Sequence, residues 1–187
     1  MADQVNVVSI CGSLRKGSFN AALARLAPKL APPGMAITAA PSLDTFPLYN
    51  HDVQDASGFP AAANDLAAAI RAADGVLICS PEYNWSVPGV LKNAIDHGSR
   101  PHGQNAWQRK PAGVIGVSPG AMGSALAQQH LRNVLAAVDM PTLAQPEAFI
   151  HAKDGVIDAS GELGEATAKF VKGWLDAYLA FARKIAG

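Results

Sequence analysis

Short apolar runs alternate with helical repeats along this chain, and that alternation limits the possible folds more than any other feature. Val5-Asn6-Val7-Val8-Ser9-Ile10-Cys11 ends in Gly12 and fits a buried parallel strand. A helix is expected from Asn20 to Leu30, capped by Ser18 and stopped by Pro32-Pro33-Gly34. Met35 to Ala40 is a weaker strand, and Pro41 to Phe59, rich in Pro, Asp and Gly, reads as a long loop. Pro60 opens a helix in which Ala63, Leu66, Ala67, Ile70 and Ala73 share one face. Gly75 to Cys79 is the clearest strand. Ser86 to His97 is expected to be helical, starting near Pro88, and Ala112 to Val117 is another strand. Ala127, Leu131, Val134, Leu135 and Val138 mark a further helix face. Thr142 to Ile150 holds a last strand. Thr167, Phe170, Val171, Trp174, Tyr178, Ala182 and Ile185 stripe a closing helix. Strands alternating with helices five times imply a parallel sheet covered by helices on both faces, in one α/β domain over residues 1–187.

Composition removes several function classes. Hydrophobic residues make up 49% and charged residues 16%, enough for a full core and too little charge for a disordered chain. Lys plus Arg and Asp plus Glu number 15 each, so the basic excess of a nucleic-acid binder is missing. No run approaches the roughly 18 apolar residues of a membrane span. Val5 to Ile10 follows the start directly, without the basic and apolar regions of a signal peptide. Two cysteines, Cys11 and Cys79, argue against a disulfide framework. The expectation is a soluble, cytoplasmic protein.

In open α/β sheets ligands bind beyond the carboxyl ends of the strands. The loop after the first strand, Gly12 to Asn20, reads GSLRKGSFN. Its glycines let the backbone approach a ligand, Ser13, Ser18 and Asn20 offer hydrogen bonds, and Arg15 offers a planar charged fork. The helix start adds unpaired N–H groups and a partial positive charge. The loop lacks the Gly-Lys-Ser/Thr ending of a nucleoside-triphosphate site and the spacing of a dinucleotide fingerprint, so a monophosphate ester fits it better. The plainer alternative is a tight turn with a capping serine. In the loop after the third strand, Pro81 and Pro88 stiffen a segment suited to lie against a flat ring, with Tyr83 and Trp85 as aromatic faces. Ordinary packing at a subunit contact is the alternative for both aromatics.

Together the Gly12–Asn20 loop and the segment SPEYNWSVPGVLKNAIDHGSRP, Ser80 to Pro101, resemble the NAD(P)H-dependent FMN reductase family, and within it the bacterial quinone and chromate reductases. The likeness runs from Val5 to about Ile150. It implies a flavodoxin-like three-layer sandwich with a five-stranded parallel sheet in order 2-1-3-4-5, binding FMN and using NADPH or NADH as co-substrate. By the same resemblance, Ser13, Arg15, Ser18, Phe19 and Asn20 match the FMN-phosphate loop. Pro81, Glu82, Tyr83 and Asn84 match the loop under the isoalloxazine ring, and Ser118 and Gly120 the loop over its far edge. Small-molecule acceptors are implied: quinones, and also chromate, azo dyes or free flavin. The flavin would carry the chemistry by ping-pong hydride transfer, so no catalytic side chain is expected. The resemblance further implies dimers or tetramers. The apolar residues Trp85, Val87, Val90, Leu91 and Ile95, with the helix from Met122 to Val138, suggest a two-fold contact near the flavin. His97 departs from the bulky aromatic usual in the closest relatives, and the loop up to Trp107 also diverges.

Two other readings stand beside this one. Gly116-Val117-Ser118-Pro119-Gly120 matches the nucleophile elbow of serine hydrolases, with Asp139 or Asp154 and His151 downstream. The oxyanion hole needs the N–H of the residue after the serine, and Pro119 has none. A flavodoxin-type electron carrier is the non-enzymatic reading, but such carriers are strongly acidic and this chain is neutral. His51, His97, His102, His130 and His151 lack zinc-ligand spacing and read as surface or loop residues, so no metal is expected. Cys11 and Cys79 read as small core residues at the ends of neighbouring strands.

Overall fold

The computed structural model describes residues 4–153, 155–158 and 161–186. Five strands are seen among them: β1 (Val5–Cys11), β2 (Met35–Ala39), β3 (Gly75–Cys79), β4 (Ala112–Ser118) and β5 (Phe149–His151). They form one parallel sheet in the order β2-β1-β3-β4-β5, as the resemblance implied. The register places Cys11 opposite Cys79 and Cys79 opposite Ile115, so the loops after β1, β3 and β4 leave the sheet side by side. The fold is flavodoxin-like.

The helices are α1 (Phe19–Leu30), α2 (His51–Ser57), α3 (Ala61–Ala72), α4 (Gly89–Gly98), α5 (Ala125–Ala137) and α6 (Glu165–Ala186). Alternate residues of a strand point to opposite faces, and β1 divides accordingly. Val5 and Val7 join Leu23 and Ala27 of α1 and Val171, Trp174 and Tyr178 of α6 in one buried cluster. Val8 and Ile10 join Leu66 and Ile70 of α3, Leu91 and Ile95 of α4, and Leu131 and Leu135 of α5 in the other. Glycines in the sheet make room for large rings. A Cβ on Gly113 would lie 2.7 Å from the Trp174 ring and 3.0 Å from that of Tyr178. Those two rings stack at 5.7 Å, and the Tyr178 hydroxyl lies 3.0 Å from the carbonyls of both Val76 and Pro111.

Several expectations need correction. The segment Pro41–Phe59 is not all loop, because α2 lies within it. The Asn50 side chain accepts from the Asp52 N–H, Asp52 sits in the first turn, and Gly58 at φ 77° ends the helix. None of its residues is buried, so there was no apolar period to read. Helix α4 starts at Gly89, leaving Ser86 and Val87 in the loop. The last strand is shorter than Thr142–Ile150. Thr142 bridges Ala112, and pairing resumes only at Phe149. Pro146, between them, has no N–H for a ladder. On α6, Phe170 and Ile185 of the expected stripe are exposed.

His97 and Trp107 are both structural. His97 is no surface residue: it is 4% exposed, lies edge-on to the rings of Phe46 and Tyr49, and its Nε2 is 3.0 Å from the Pro47 carbonyl. It fastens the segment after β2 onto α4. Trp107 is fully buried and donates from Nε1 to the Ile95 carbonyl at 3.1 Å. It packs so closely on Gly98 that a Cβ there would lie 2.5 Å from its Nε1.

Candidate cofactor site

β3 stands between β1 and β4, so its loop forms the floor between the other two. The Gly12 N–H donates to the Cys79 carbonyl at 2.9 Å and the Ser80 N–H to that of Ile115 at 3.0 Å, which ties the roots of the three loops together. A Cβ on Gly12 would come within 3.1 Å of Ser80 Oγ and 3.2 Å of Leu91. Any larger residue there would push the Ser80 and Leu91 side chains back by a few tenths of an ångström, so glycine suits the close approach of the first loop to the third.

The first loop turns tightly into α1. The Ser18 N–H donates to the Arg15 carbonyl at 3.1 Å, and Ser18 Oγ accepts from the Ala21 N–H at 3.3 Å. The N–H groups of Phe19 and Asn20, in the first turn of α1, have no intrahelical acceptors. Arg15 is exposed, with its guanidinium carbon 5.7 Å from the centroid of the Phe19 ring. Ser13 Oγ accepts from the Arg15 N–H at 3.4 Å and lies 3.4 Å from the Tyr83 hydroxyl, which joins the first and third loops. A helix start, an exposed fixed cation and two hydroxyls on a tight loop fit one phosphate group.

The side chain of Asn20 is engaged within the fold. It is 2% exposed; its Nδ2 donates to the Val117 carbonyl at 2.8 Å, and its Oδ1 accepts from the Val117 N–H at 2.9 Å. β3 ends opposite Ile115, so these two groups of β4 have lost their neighbouring strand. The Asn20 carboxamide replaces it. The side chain of Glu82 is likewise engaged: its Oε2 accepts from the Ala127 N–H at 3.0 Å and so caps α5, whose own Ser124 makes no side-chain cap.

Pro81 is buried at the root of the third loop. Tyr83 and Ser86 exchange backbone hydrogen bonds of 3.1 and 3.0 Å around Asn84 (φ 50°) and Trp85 (φ 62°), forming a two-residue turn of type I′. The far end of this hairpin is fixed to α5, where Ser86 Oγ lies 2.9 Å from His130 Nδ1. In the loop after β4, Ser118 is 5% exposed and its Oγ accepts from the Gly120 N–H at 3.4 Å; Gly120 itself is exposed. A separate cavity of about 390 Å³ lies between α1 and the segment after β2. Ser13 is the only expected site residue that borders it.

The hydrolase geometry is not assembled. Ser118 Oγ is engaged by Gly120, and His151 Nε2 lies 3.1 Å from the Pro119 carbonyl. Asp139 sits just beyond the C-terminus of α5, with its carbonyl accepting from the Arg109 N–H. Asp154 lies outside the described residues. Among the described residues, no three His, Cys, Asp or Glu side chains are grouped to hold a metal. Burial raises the Cys79 thiol pKa well above 9.0 and raises that of Cys11 as well; Cys79 is a core residue, as expected, whereas Cys11 is half-buried and borders the cavity beside α1.

The apolar excess read from Trp85 to Ile95 is mostly core. Leu91 and Ile95 are buried, and Val87 and Val90 pack against the same cluster. Trp85, 74% exposed, is the exception; Met122, ahead of α5, and Leu126, in its first turn, are exposed as well.

A sequence model of the family described as NADPH-dependent FMN reductase matches residues 5–155. The chain is 44% identical over 188 residues to an NAD(P)H-dependent FMN reductase of Pseudomonas aeruginosa, covering 100% of both chains. It is 43% identical over 187 residues to a quinone reductase of Escherichia coli strain K12, covering 99% of each. Among solved structures it is similar to FerB, a flavoenzyme NAD(P)H:(acceptor) oxidoreductase from Paracoccus denitrificans. The identity there is 40% and the TM-score 0.87, with 96% of this chain and 98% of that one covered.

Proposed function

This chain belongs to the NADPH-dependent FMN reductase family, and from that premise we propose how its loops divide the work. It is an FMN-containing NAD(P)H oxidoreductase that reduces quinones. Ser13, Arg15, Ser18 and Phe19 hold the phosphate of FMN, with the Arg15 guanidinium and the first N–H groups of α1 as donors. Pro81, Tyr83 and Asn84 form the surface against which the ring lies. Ser118 and Gly120 close its far edge. Asn20 offers its N–H to the phosphate, while its side chain and that of Glu82 hold β4 and α5 in place. The bound flavin supplies hydride acceptance and donation, and the protein supplies binding, orientation and electrostatics. No side chain of this chain is assigned as acid or base.

The observation that carries this reading is the convergence of a one-phosphate loop and a stiffened aromatic hairpin, joined through Ser13 and Tyr83, at the carboxyl ends of β1 and β3. The finer proposals follow from it. Chromate, azo dyes and free flavin are further acceptors, because the loops assigned to the ring are exposed at Tyr83, Asn84 and Gly120 and restrict acceptor shape weakly. The chain self-associates as a dimer or tetramer, supported by the exposed apolar side chains of Met122 and Leu126. It works in the cytoplasm, where NAD(P)H is available. Mass analysis of the released ligand tests the cofactor assignment. FMN is expected; FAD, or no flavin retained after incubation with FMN, contradicts it.

A further inference from the structure

We propose that Trp85 is the residue that selects among electron acceptors, by offering its indole as a stacking wall for flat aromatic molecules at the tip of the hairpin after β3. The inference rests on the cofactor reading above and adds to it.

Two independent observations single the residue out. The first is its backbone. Type I′ turns need φ > 0 at both central residues, and they favour Asn followed by Gly. Asn84 (φ 50°) meets that preference, since Asn tolerates the left-handed region. Trp85 (φ 62°) does not, because a bulky side chain there crowds its own backbone. Turn chemistry calls for glycine at this position, and the chain holds tryptophan against that preference. The second observation is exposure. At 74% the indole is not in the core, so packing within this chain does not account for it. A residue that costs the fold something and packs on little of it has a reason outside the fold.

Its position identifies the reason. The hairpin is held rigid at both ends: Glu82 binds the N-terminus of α5, Ser86 meets His130, and Tyr83 reaches across to Ser13. It stands on β3, the middle of the three strands whose loops make the site. Asn84, one residue away, belongs to the ring-facing loop. A rigid arm therefore places an amphipathic aromatic where an acceptor arrives. Indole faces stack on planar rings and gain little from a compact complex anion.

The chemistry is balanced without any group on Trp85. NAD(P)H gives up two electrons and one proton as hydride, solvent supplies a second proton, and a quinone leaves as the hydroquinone. Ferricyanide takes the same two electrons one at a time, as two molecules of ferrocyanide.

The test uses the FMN-loaded protein with 1,4-naphthoquinone and with ferricyanide, comparing wild type, Trp85→Gly and Trp85→Phe. In Trp85→Gly the ratio of kcat/KM for naphthoquinone to that for ferricyanide should fall by roughly three- to tenfold, the scale of one aromatic contact, and mainly through KM. Trp85→Phe should restore most of that ratio. The melting temperature of Trp85→Gly should hold or rise by up to about 4 °C, because the turn gains its favoured residue. An unchanged ratio overturns the proposal. So does an equal loss with both acceptors, a fall in melting temperature of more than a few degrees, or a tenfold loss of FMN affinity. If the wild type reduces neither acceptor, the functional reading itself fails; if it reduces both and the ratio is insensitive to position 85, only the selector role fails.

Discussion

Replacing Asn20 with Ala should destabilise the protein itself, before any ligand is involved. The side chain is 2% exposed and satisfies both the N–H and the carbonyl of Val117, at 2.9 and 2.8 Å. Truncation leaves two buried backbone groups without partners, each at a cost of about 1–3 kcal/mol. Summed, and reduced for any water that enters the space left by the carboxamide, the loss is about 2–5 kcal/mol. At roughly 2–4 °C per kcal/mol for a chain of this size, the melting temperature should fall by about 4–20 °C. The assay is thermal unfolding of flavin-free protein followed by circular dichroism, with FMN titration of the same sample below the transition. The affinity for FMN should change far less than the stability. An apoprotein that melts within 2 °C of wild type while losing its affinity for FMN would refute the reasoning, because the Asn20 side chain would then be a ligand rather than a brace.

Two other expectations follow from the same structure. Arg15→Ala should weaken FMN binding by about 1–3 kcal/mol, the range of a charge-assisted hydrogen bond, and leave the melting temperature of the apoprotein unchanged; equal affinity removes Arg15 from the site. Burial holds the thiols of Cys79 and Cys11 above their usual 9.0, so the folded state keeps protons that the unfolded chain releases. The stability they contribute is complete below that value and is lost as pH rises above it, by up to about 1.4 kcal/mol per pH unit per thiol. Urea unfolding under reducing conditions at pH 8, 9 and 10 should show the decline, with a shallower slope in Cys79→Ala; a flat profile contradicts it.

Much of the fold was legible because its elements announce themselves through burial. β3 is apolar throughout and matched its expected limits, and α3 shows Ala63, Leu66, Ala67 and Ile70 on one face. Helix α2 was hidden because it buries nothing and is held by a cap and a stop rather than by an apolar stripe. The site was legible as loops but less so as side chains. Gly12 and Ser18 act where they stand in sequence. Asn20 and Glu82 act across long separations, on Val117 and Ala127, and pattern alone does not reveal such partners. Glu82 had a faint signal, since Ser124 opens a helix whose first turn holds no acidic residue. His97 was misplaced because its partners, Phe46, Pro47 and Tyr49, lie in a segment with no helical or strand period. The left-handed backbone of Trp85 carries no sequence mark, because tryptophan is not a residue that predicts it.

The most direct test of the central claim is the reduction of a quinone by NAD(P)H with apoprotein alone and after FMN is added back, followed by loss of absorbance at 340 nm. The loops of β1, β3 and β4 are argued to exist to hold one FMN. Activity should therefore be near zero without flavin and rise in proportion to bound FMN until one equivalent per chain is reached. Activity that is undiminished in flavin-free protein, or that stays absent once FMN is bound, would contradict the account.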